Sequence, residues 1–398
     1  MVIAIAGKNN IAVDSFEYIY KKYSNYFDIV VVCNKNENGV NSWQKSLRLI
    51  AKQYDIKEVF LEDLYDIEDL LFLSLEFDTI IKTKRFKSKK LFNIHFSLLP
   101  KYKGMYTSAI PILNDEKKTG VTLHKIEDGI DTGDIVAQKE FDIYDYDTSR
   151  NLYIKYIQHA TVLVKENIEK LIYDHENIKY TQQDWEHSSY YSKNYIDYKN
   201  LSIDLNQTSR SIYNQLRAFT FREYQLPMVY NKRIVMSQIT NIKSYKKPGT
   251  ILFECEYSLM IATIDYNIIL FIDRFEELLK ECQKGNISKV KEICSINQLV
   301  NEKDYHGWTP LMVATYNGHT EVVKYLISVG ANIYDVNNNG TNLLMYAKEA
   351  FRKTGNVELF ELYINLGIDY NIKDYYNKSL IDYCREDNIK NIGIIQLF

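Results

Sequence analysis

The chain has 398 residues, too many for one ordinary hydrophobic core, so two or three domains are expected. A formal net charge of −3 argues against the broad basic surface that nucleic-acid binding needs, and no run of about 18 apolar residues is present to cross a membrane. Cys33, Cys255, Cys282, Cys294 and Cys384 are scattered without C-x-x-C spacing, which fits reduced thiols in the cytoplasm and gives no metal site. From the start of the chain, MVIAIAGKNN lacks a basic leader, so Val2 to Ala6 reads as a buried strand ending at Gly7 rather than as a signal peptide. A helix pattern follows through Phe16, Ile19 and Tyr20, then a second apolar run at Ile29 to Cys33. Trp43, Leu47 and Ile50 mark another amphipathic helix. Val59 to Leu61, Leu71 to Leu75 and Leu91 to Ile94 read as further strands. Short apolar strands alternating with helices imply an α/β domain, a Rossmann-like parallel sheet covered on both faces, with its ligand crevice beyond the carboxyl ends of the strands.

GKNNIA after the first strand is not a G-x-G-x-x-G fingerprint, so a dinucleotide site has no support there. Asn9, at the rim of the same crevice, is a candidate substrate contact. Ile135 to Ile143 reads as extended, and Thr148 or Ser149 can cap a long helix through Leu152, Ile157, Leu163 and Ile168. Residues 182–193 are polar and aromatic, as in a surface crossing or linker. A short helix at Ile212 to Phe219 precedes alternating apolar runs from Met228 to Asp273, which read as a small antiparallel β unit. That unit is also a candidate contact for a homodimer.

Two segments carry chemistry. In FNIHFSLLPKYKG, residues two apart along an extended strand face the same way, so Asn93 and His95 project together into the crevice. In GIDTGDIV, a tight glycine-flanked turn can aim Asp131 back toward His95. A histidine polarised by a carboxylate, beside an amide donor, is a set for proton transfer and for holding an oxyanion. Nearly letter for letter, the pattern Asn-x-His-x-Ser-Leu-Leu-Pro-x-x-x-Gly followed by Gly-x-Asp-Thr-Gly-Asp resembles the 10-formyltetrahydrofolate-dependent formyltransferases, over roughly residues 1–230.

That resemblance implies attack of a substrate amine on the formyl carbon of the folate co-substrate. Asn93 would hold the oxyanion, His95 would take the amine proton or stabilise charge, and Asp131 would orient His95. The pattern leaves open whether His95, Asp131 or a water moves each proton. Phe77, Ile80 and Ile81, in the family's pterin-binding stretch, are the donor-pocket candidates, with core packing as the alternative. His124 is expected to support the site rather than to react.

The middle of the chain looks like that of nucleotide-sugar formyltransferases, with an extended Ile203-Asp204-Leu205 before the Arg-Ala helix end. Trp185, Arg217, Phe221, Arg222 and Tyr224 are therefore candidates for stacking a base or pairing with a diphosphate.

The last part repeats. Gly307-Trp308-Thr309-Pro310-Leu311-Met312-x-Ala314 recurs from Gly340 to Ala347, 33 positions later (307 to 340), which is the ankyrin period and signature. The closing glycines, Gly330 and Gly367, are spaced more widely, which places a small insertion near Lys353 to Asn356. Phe275 to Ile296 reads as a helical cap, and residues 377–381 open a last partial repeat. Three domains result: a catalytic α/β domain at 1–180, a small β-rich domain at 181–273 and an all-α ankyrin domain at 274–398. An ankyrin tail resembles enzymes acting on dTDP-linked 3-amino-3,6-dideoxyhexoses for O-antigen, the surface polysaccharide of bacteria. The acceptor expected is thus a nucleotide-linked amino sugar. Another small amine, methionyl-tRNA, or an ankyrin interaction protein with a degenerate front stand as alternatives. The ankyrin region is expected to act as a stability module, to bind a protein, or to hold a regulatory small molecule at a second site by Tyr305 and Trp308.

Overall fold

A computed structural model of the chain describes residues 1–296 and 299–387. It falls into two units, residues 1–40 with 44–272, and residues 41–43 with 273 onward. The first opens with β1 (Val2–Gly7), α1 (Asn9–Tyr23), β2 (Asp28–Cys33), α2 (Leu47–Gln53), β3 (Leu70–Leu75) and β4 (Lys90–His95). It continues through β5 (Lys103–Gly104), α3 (Ile110–Leu113), β6 (Lys118–Lys125), β7 (Ile135–Asp142), α4 (Ser149–Tyr173) and β8 (Tyr190–Tyr191). Among the described residues, six strands form the main sheet in the order β2-β1-β3-β4-β6-β7. β2, β1, β3 and β4 run parallel, while β6 and β7 pair antiparallel, so the expected parallel sheet is in fact mixed.

Alternation sorts the strands into two cores. Ile3, Ile5, Leu71, Leu73, Phe92 and Ile94 pack with Phe16 and Ile19 of α1 and Tyr156, Leu163 and Ile168 of α4. Ala4, Ala6, Phe72 and Leu91 point the other way, onto Leu64, Ile81 and Phe86. That second face is covered by turns from the 59–89 stretch rather than by long helices. The strand expected at Val59 to Leu61 is absent: Glu58 makes an isolated bridge to Val31, and a single 3-10 turn follows at Leu61–Leu64. The Trp43 helix begins only at Leu47, where Ser46 accepts from Leu49 N–H as its cap. α4 starts as expected, capped by Thr148, whose side chain accepts from Asn151 N–H. The 182–193 stretch is no free linker, because β8 pairs with β5 and closes over the loop after β4.

The remainder of this unit is α5 (Ser209–Phe219), β9 (Met228–Val229), β10 (Lys232–Lys243), β11 (Ile251–Glu254), β12 (Ser258–Ile261) and β13 (Tyr266–Ile272). These strands form an antiparallel sheet ordered β11-β12-β13-β10-β9, with a core of its own built from Ile212 and Leu216 of α5 against Ile234, Leu259, Ile268 and Leu270. No strand forms at Ile203-Asp204-Leu205, where Asp204 instead turns the chain by accepting from Asn206 N–H.

The second unit is helical: α6 (Phe275–Lys284), α7 (Ile287–Ile296), α8 (Pro310–Tyr316), α9 (Thr320–Ser328), α10 (Leu343–Thr354), α11 (Glu358–Asn365) and α12 (Leu380–Glu386). The repeat signature has a local cause. Thr309 caps α8 by accepting from Met312 N–H, and Pro310 occupies the first turn, where its missing N–H is harmless. Asn342 caps α10 in the same way through Met345 N–H. The insertion appears as extra length, 12 residues in α10 against 7 in α8, ended by left-handed Gly355.

Candidate active site

The carboxyl edge of the main sheet carries the expected residues. In β4, Phe92 and Ile94 enter the core, leaving Asn93 and His95 on the opposite side of the strand. β4 pairs with β6 so that Asn93 lies opposite His124. His124 Nδ1 sits 2.6 Å from Lys125 O, and a carbonyl can only accept, so this nitrogen carries the hydrogen. Nε2 then accepts from Asn93 Nδ2 at 3.1 Å. The bond orients the amide and uses one of its two N–H groups. His124 thus holds the Asn93 side chain.

Asp131 closes the group. Its Oδ2 lies 3.3 Å from His95 Nδ1, and its Oδ1 lies 3.7 Å from His124 Nε2. The Gly104 N–H donates to Oδ2 at 2.9 Å. Burial works against the Asp131 charge, but His95 and the Gly104 amide help to outweigh it, and the carboxyl is held well below the usual carboxylate range. His95 Nε2 donates to Tyr102 O at 2.8 Å, so both ring nitrogens face protein oxygens.

The glycines around Asp131 act differently from expectation. The left-handed backbone is at Asp131 itself, with φ of 52°, not at its flanking glycines. Gly133 is needed for contact, since a Cβ there would lie 2.0 Å from Lys125 O. Gln183 clamps the turn from outside by donating to Asp131 O at 2.9 Å and Gly133 O at 2.7 Å.

Of the donor-pocket candidates, Ile81 is buried among Leu64, Phe72, Phe86 and Leu91, and Phe77 packs edge-on to Phe72. Both thus pack in the second core of the sheet, the alternative left open for them, while Ile80 is 70% exposed. The acceptor candidates divide. Trp185 is 65% exposed, with one face on the Lys103 ammonium 4.1 Å from the ring centroid. Phe221 is buried against Tyr153 and carries the exposed Tyr224 ring at 4.7 Å, with half-buried Arg222 in the same turn. Asn9 reaches across the crevice to Glu76 and Tyr153.

Arg217 does not serve as expected. It is 7% exposed, and its guanidinium donates to Tyr144 O, Asp147 O and Asn214 Oδ1. It ties α5 to the loop before α4 and has no reach to a diphosphate. In the second unit, Tyr305 is exposed on the His306 ring, and Trp308 lies half-buried against Tyr316 and Tyr346.

Three features escaped the sequence reading. Lys103 is 3% exposed, and among the described residues its ammonium has no hydrogen-bond partner. Burial lowers its pKa, with the Asp131 charge opposing. The basic residue in PKYKG carried the only signal, and it was too ordinary to read. Gln183 was passed over inside a supposed linker. Glu76 follows β3 with its carboxyl held by Asn9 and Tyr153, and its place at the carboxyl end of a central strand was the signal.

Comparison with known proteins follows the same division. A formyl transferase family model matches residues 78–166, and an ankyrin-repeat model of three copies matches residues 278–374. The sugar 3-N-formyl transferase WlaRD, solved in the presence of dTDP and 5-N-formyl-THF, is 46% identical over 69% of this chain and 98% of its own, with a TM-score of 0.64. The N-formyltransferase of Helicobacter canadensis, solved with folinic acid and dTDP-3-aminofucose, is 45% identical over 69% of this chain and 100% of its own, also at 0.64. The bifunctional polymyxin resistance protein ArnA of Wigglesworthia glossinidia brevipalpis is 36% identical over 63% of this chain, and the chain spans only 38% of that protein. Methionyl-tRNA formyltransferase of Mycoplasma mycoides is 30% identical over 64% of this chain and 80% of its own. The chain belongs to the folate-dependent N-formyltransferase family and carries ankyrin repeats in its C-terminal part.

Proposed function

We propose that the chain transfers a formyl group from 10-formyltetrahydrofolate to the 3-amino group of a dTDP-linked 3-amino-3,6-dideoxyhexose. The observation that carries this reading is the likeness, near 46% identity over 98% of the relative, to a sugar 3-N-formyl transferase around an intact Asn93, His95 and Asp131. In this reading the second N–H of Asn93 holds the formyl oxygen as it gains charge, worth on the order of 100-fold in rate. His95, between Tyr102 O and Asp131, can carry a proton with both N–H groups satisfied, and so balances charge beside the reacting nitrogen. Asp131 orients that ring. Phe77 and Ile81 wall the donor with Ile80 at the rim, and Trp185, Phe221, Arg222 and Tyr224 are left to face the nucleotide. The N-formyl sugar would enter bacterial surface polysaccharide, the O-antigen.

The decisive assay offers the full chain 10-formyltetrahydrofolate with a panel of nucleotide-linked amino sugars and methionyl-tRNA, and reads formyl addition by mass spectrometry. Mass gain on a dTDP-3-amino sugar supports the reading. Gain on methionyl-tRNA alone overturns the acceptor and keeps the reaction. We further read the β10–β13 sheet as a homodimer contact and the ankyrin unit as a docking or regulatory module near Tyr305 and Trp308. Sedimentation, and binding measured with and without Trp308→Ala, test those two readings.

A further inference from the structure

His95 has both ring nitrogens turned toward protein oxygens, Tyr102 O and Asp131 Oδ2. To take a proton from an incoming amine it would have to give up one of them. Another acceptor stands beside it. β3 and β4 run parallel with Leu75 opposite Ile94, so the chain delivers Glu76 at the carboxyl edge of the sheet next to His95. Its backbone is left-handed, with φ of 58°, and Asn34 Nδ2 pins it by donating to Glu76 O at 2.9 Å.

Three separate elements build the carboxyl site. Tyr153 OH, from α4, bridges Glu76 Oε1 at 2.9 Å and Oε2 at 2.8 Å. Asn9 Nδ2, at the start of α1 and itself left-handed at 63°, donates to Oε2 at 3.1 Å. Glu76 has no ion-pair partner among the described residues. A carboxylate accepts more bonds than these two donors supply, so it retains capacity toward the crevice. Tyr153 lies between Phe96, the residue after His95, at 5.8 Å and Phe221 at 5.7 Å. The group is therefore a carboxyl with polar supports and an aromatic flank, placed at the carboxyl edge of the sheet. Burial raises its pKa, opposed by Tyr153, Asn9 and Lys8, and such groups in a crevice are candidates for proton transfer.

We propose that Glu76 receives the acceptor amine: its carboxylate binds the sugar's ammonium group and removes one proton, freeing the nitrogen to attack beside Asn93 and His95. The inference rests on the sugar-amine reading above. In balance, R–NH3+ and the carboxylate become R–NH2 and the carboxylic acid. The nitrogen lone pair then forms the bond to the formyl carbon while the carbonyl pair moves onto oxygen, held by Asn93. That pair returns as the carbon–N10 bond breaks, and N10 takes the second proton of the amine. Lys8, Tyr153 and, behind it, Tyr224 are the titratable groups facing Glu76.

The test compares the full wild-type chain with Glu76→Gln, which keeps size and most hydrogen bonds but neither binds ammonium as an ion nor takes a proton. We expect kcat/KM to fall about 100-fold and the ascending limb of its pH profile to vanish. Calorimetry adds a second readout. Wild type should prefer the dTDP-3-amino sugar over its 3-hydroxy analogue at least about tenfold, roughly the scale of one charge-assisted contact, and Glu76→Gln should bind the two alike. Wild-type activity with an unchanged limb, or a retained preference for the amine, overturns the proposal. If Glu76→Gln does not fold, Glu76→Asp takes its place, with the limb kept and the rate reduced, and an unreduced rate there also overturns it. Failure of wild type on every amino sugar would instead sink the acceptor reading, before any variant is made.

Discussion

The two units fill the left-handed region of backbone space differently. In the ankyrin unit it is occupied by Gly285, Gly307, Gly318, Gly330, Gly340, Gly355 and Gly367, with Asn377 the exception among the described residues. In the catalytic unit Gly39, Gly104 and Gly249 share it with nine residues that carry side chains, among them Asn9, Glu76, Asp131 and Tyr102, whose carbonyl receives His95 Nε2. A non-glycine residue in that conformation costs roughly 1–2 kcal/mol. A repeat array asks nothing of its turn residues but the turn, and glycine supplies that without strain. The site asks for a carboxylate or an amide at the tip of a tight turn, so at Asn9, Glu76 and Asp131 strain is accepted for the side chain it presents.

The largest expected effect comes from breaking the comparison at its chemical end. Asp131→Asn keeps the left-handed tolerance of Asn and an acceptor for the Gly104 N–H, but removes the charge that His95 and His124 face. Formyl transfer should fall by about 100-fold or more, with little change in melting temperature, by analogy with oxyanion and triad sites. Activity within a few-fold of wild type would show that the charge at residue 131 is dispensable. Next in size are glycine substitutions in the ankyrin unit. A Cβ on Gly340 would lie 2.8 Å from Tyr375 N, whereas one on Gly330 meets nothing within 4 Å. Gly330→Ala should lose about 1–2 kcal/mol from torsion alone, and Gly340→Ala clearly more. Chemical denaturation measures both, and equal losses would show that the close approach does not matter.

What could be read from sequence was whatever is written contiguously. The β4 motif and the Asp131 turn were read because each is a short unbroken pattern, and the repeats because a period of 33 residues from Gly307 to Gly340 needs no alignment. Residues that meet only through packing were lost. Arg217 looked like a phosphate ligand because its partners are backbone carbonyls some seventy positions earlier, at Tyr144 and Asp147, and carbonyls leave no mark in a sequence. Gln183 and Tyr190 seemed to belong to a linker until β8 paired with β5. Glu76 joins Asn9 and Tyr153 across 67 and 77 positions, so only the rule for sheet edges could have pointed to it.

The smallest effect asks whether strain and burial at Glu76 weaken the catalytic unit. Burial raises the folded-state pKa of Glu76 above its unfolded value of about 4.3. The folded chain thus favours the protonated acid. Its contribution to stability is full below about pH 4.3 and is lost as pH rises through the folded-state value. Glutamine carries no such titration. The melting temperature of Glu76→Gln, relative to wild type, should therefore rise as pH climbs from about 4.3 through the raised folded-state value, so that the variant gains stability where it loses activity. Calorimetric scans of both proteins across that range read the gap directly. A gap that stays constant with pH would mean that the carboxyl titrates alike in the folded and unfolded chain, and the contrast with the unstrained repeat turns would then rest on Asp131 alone.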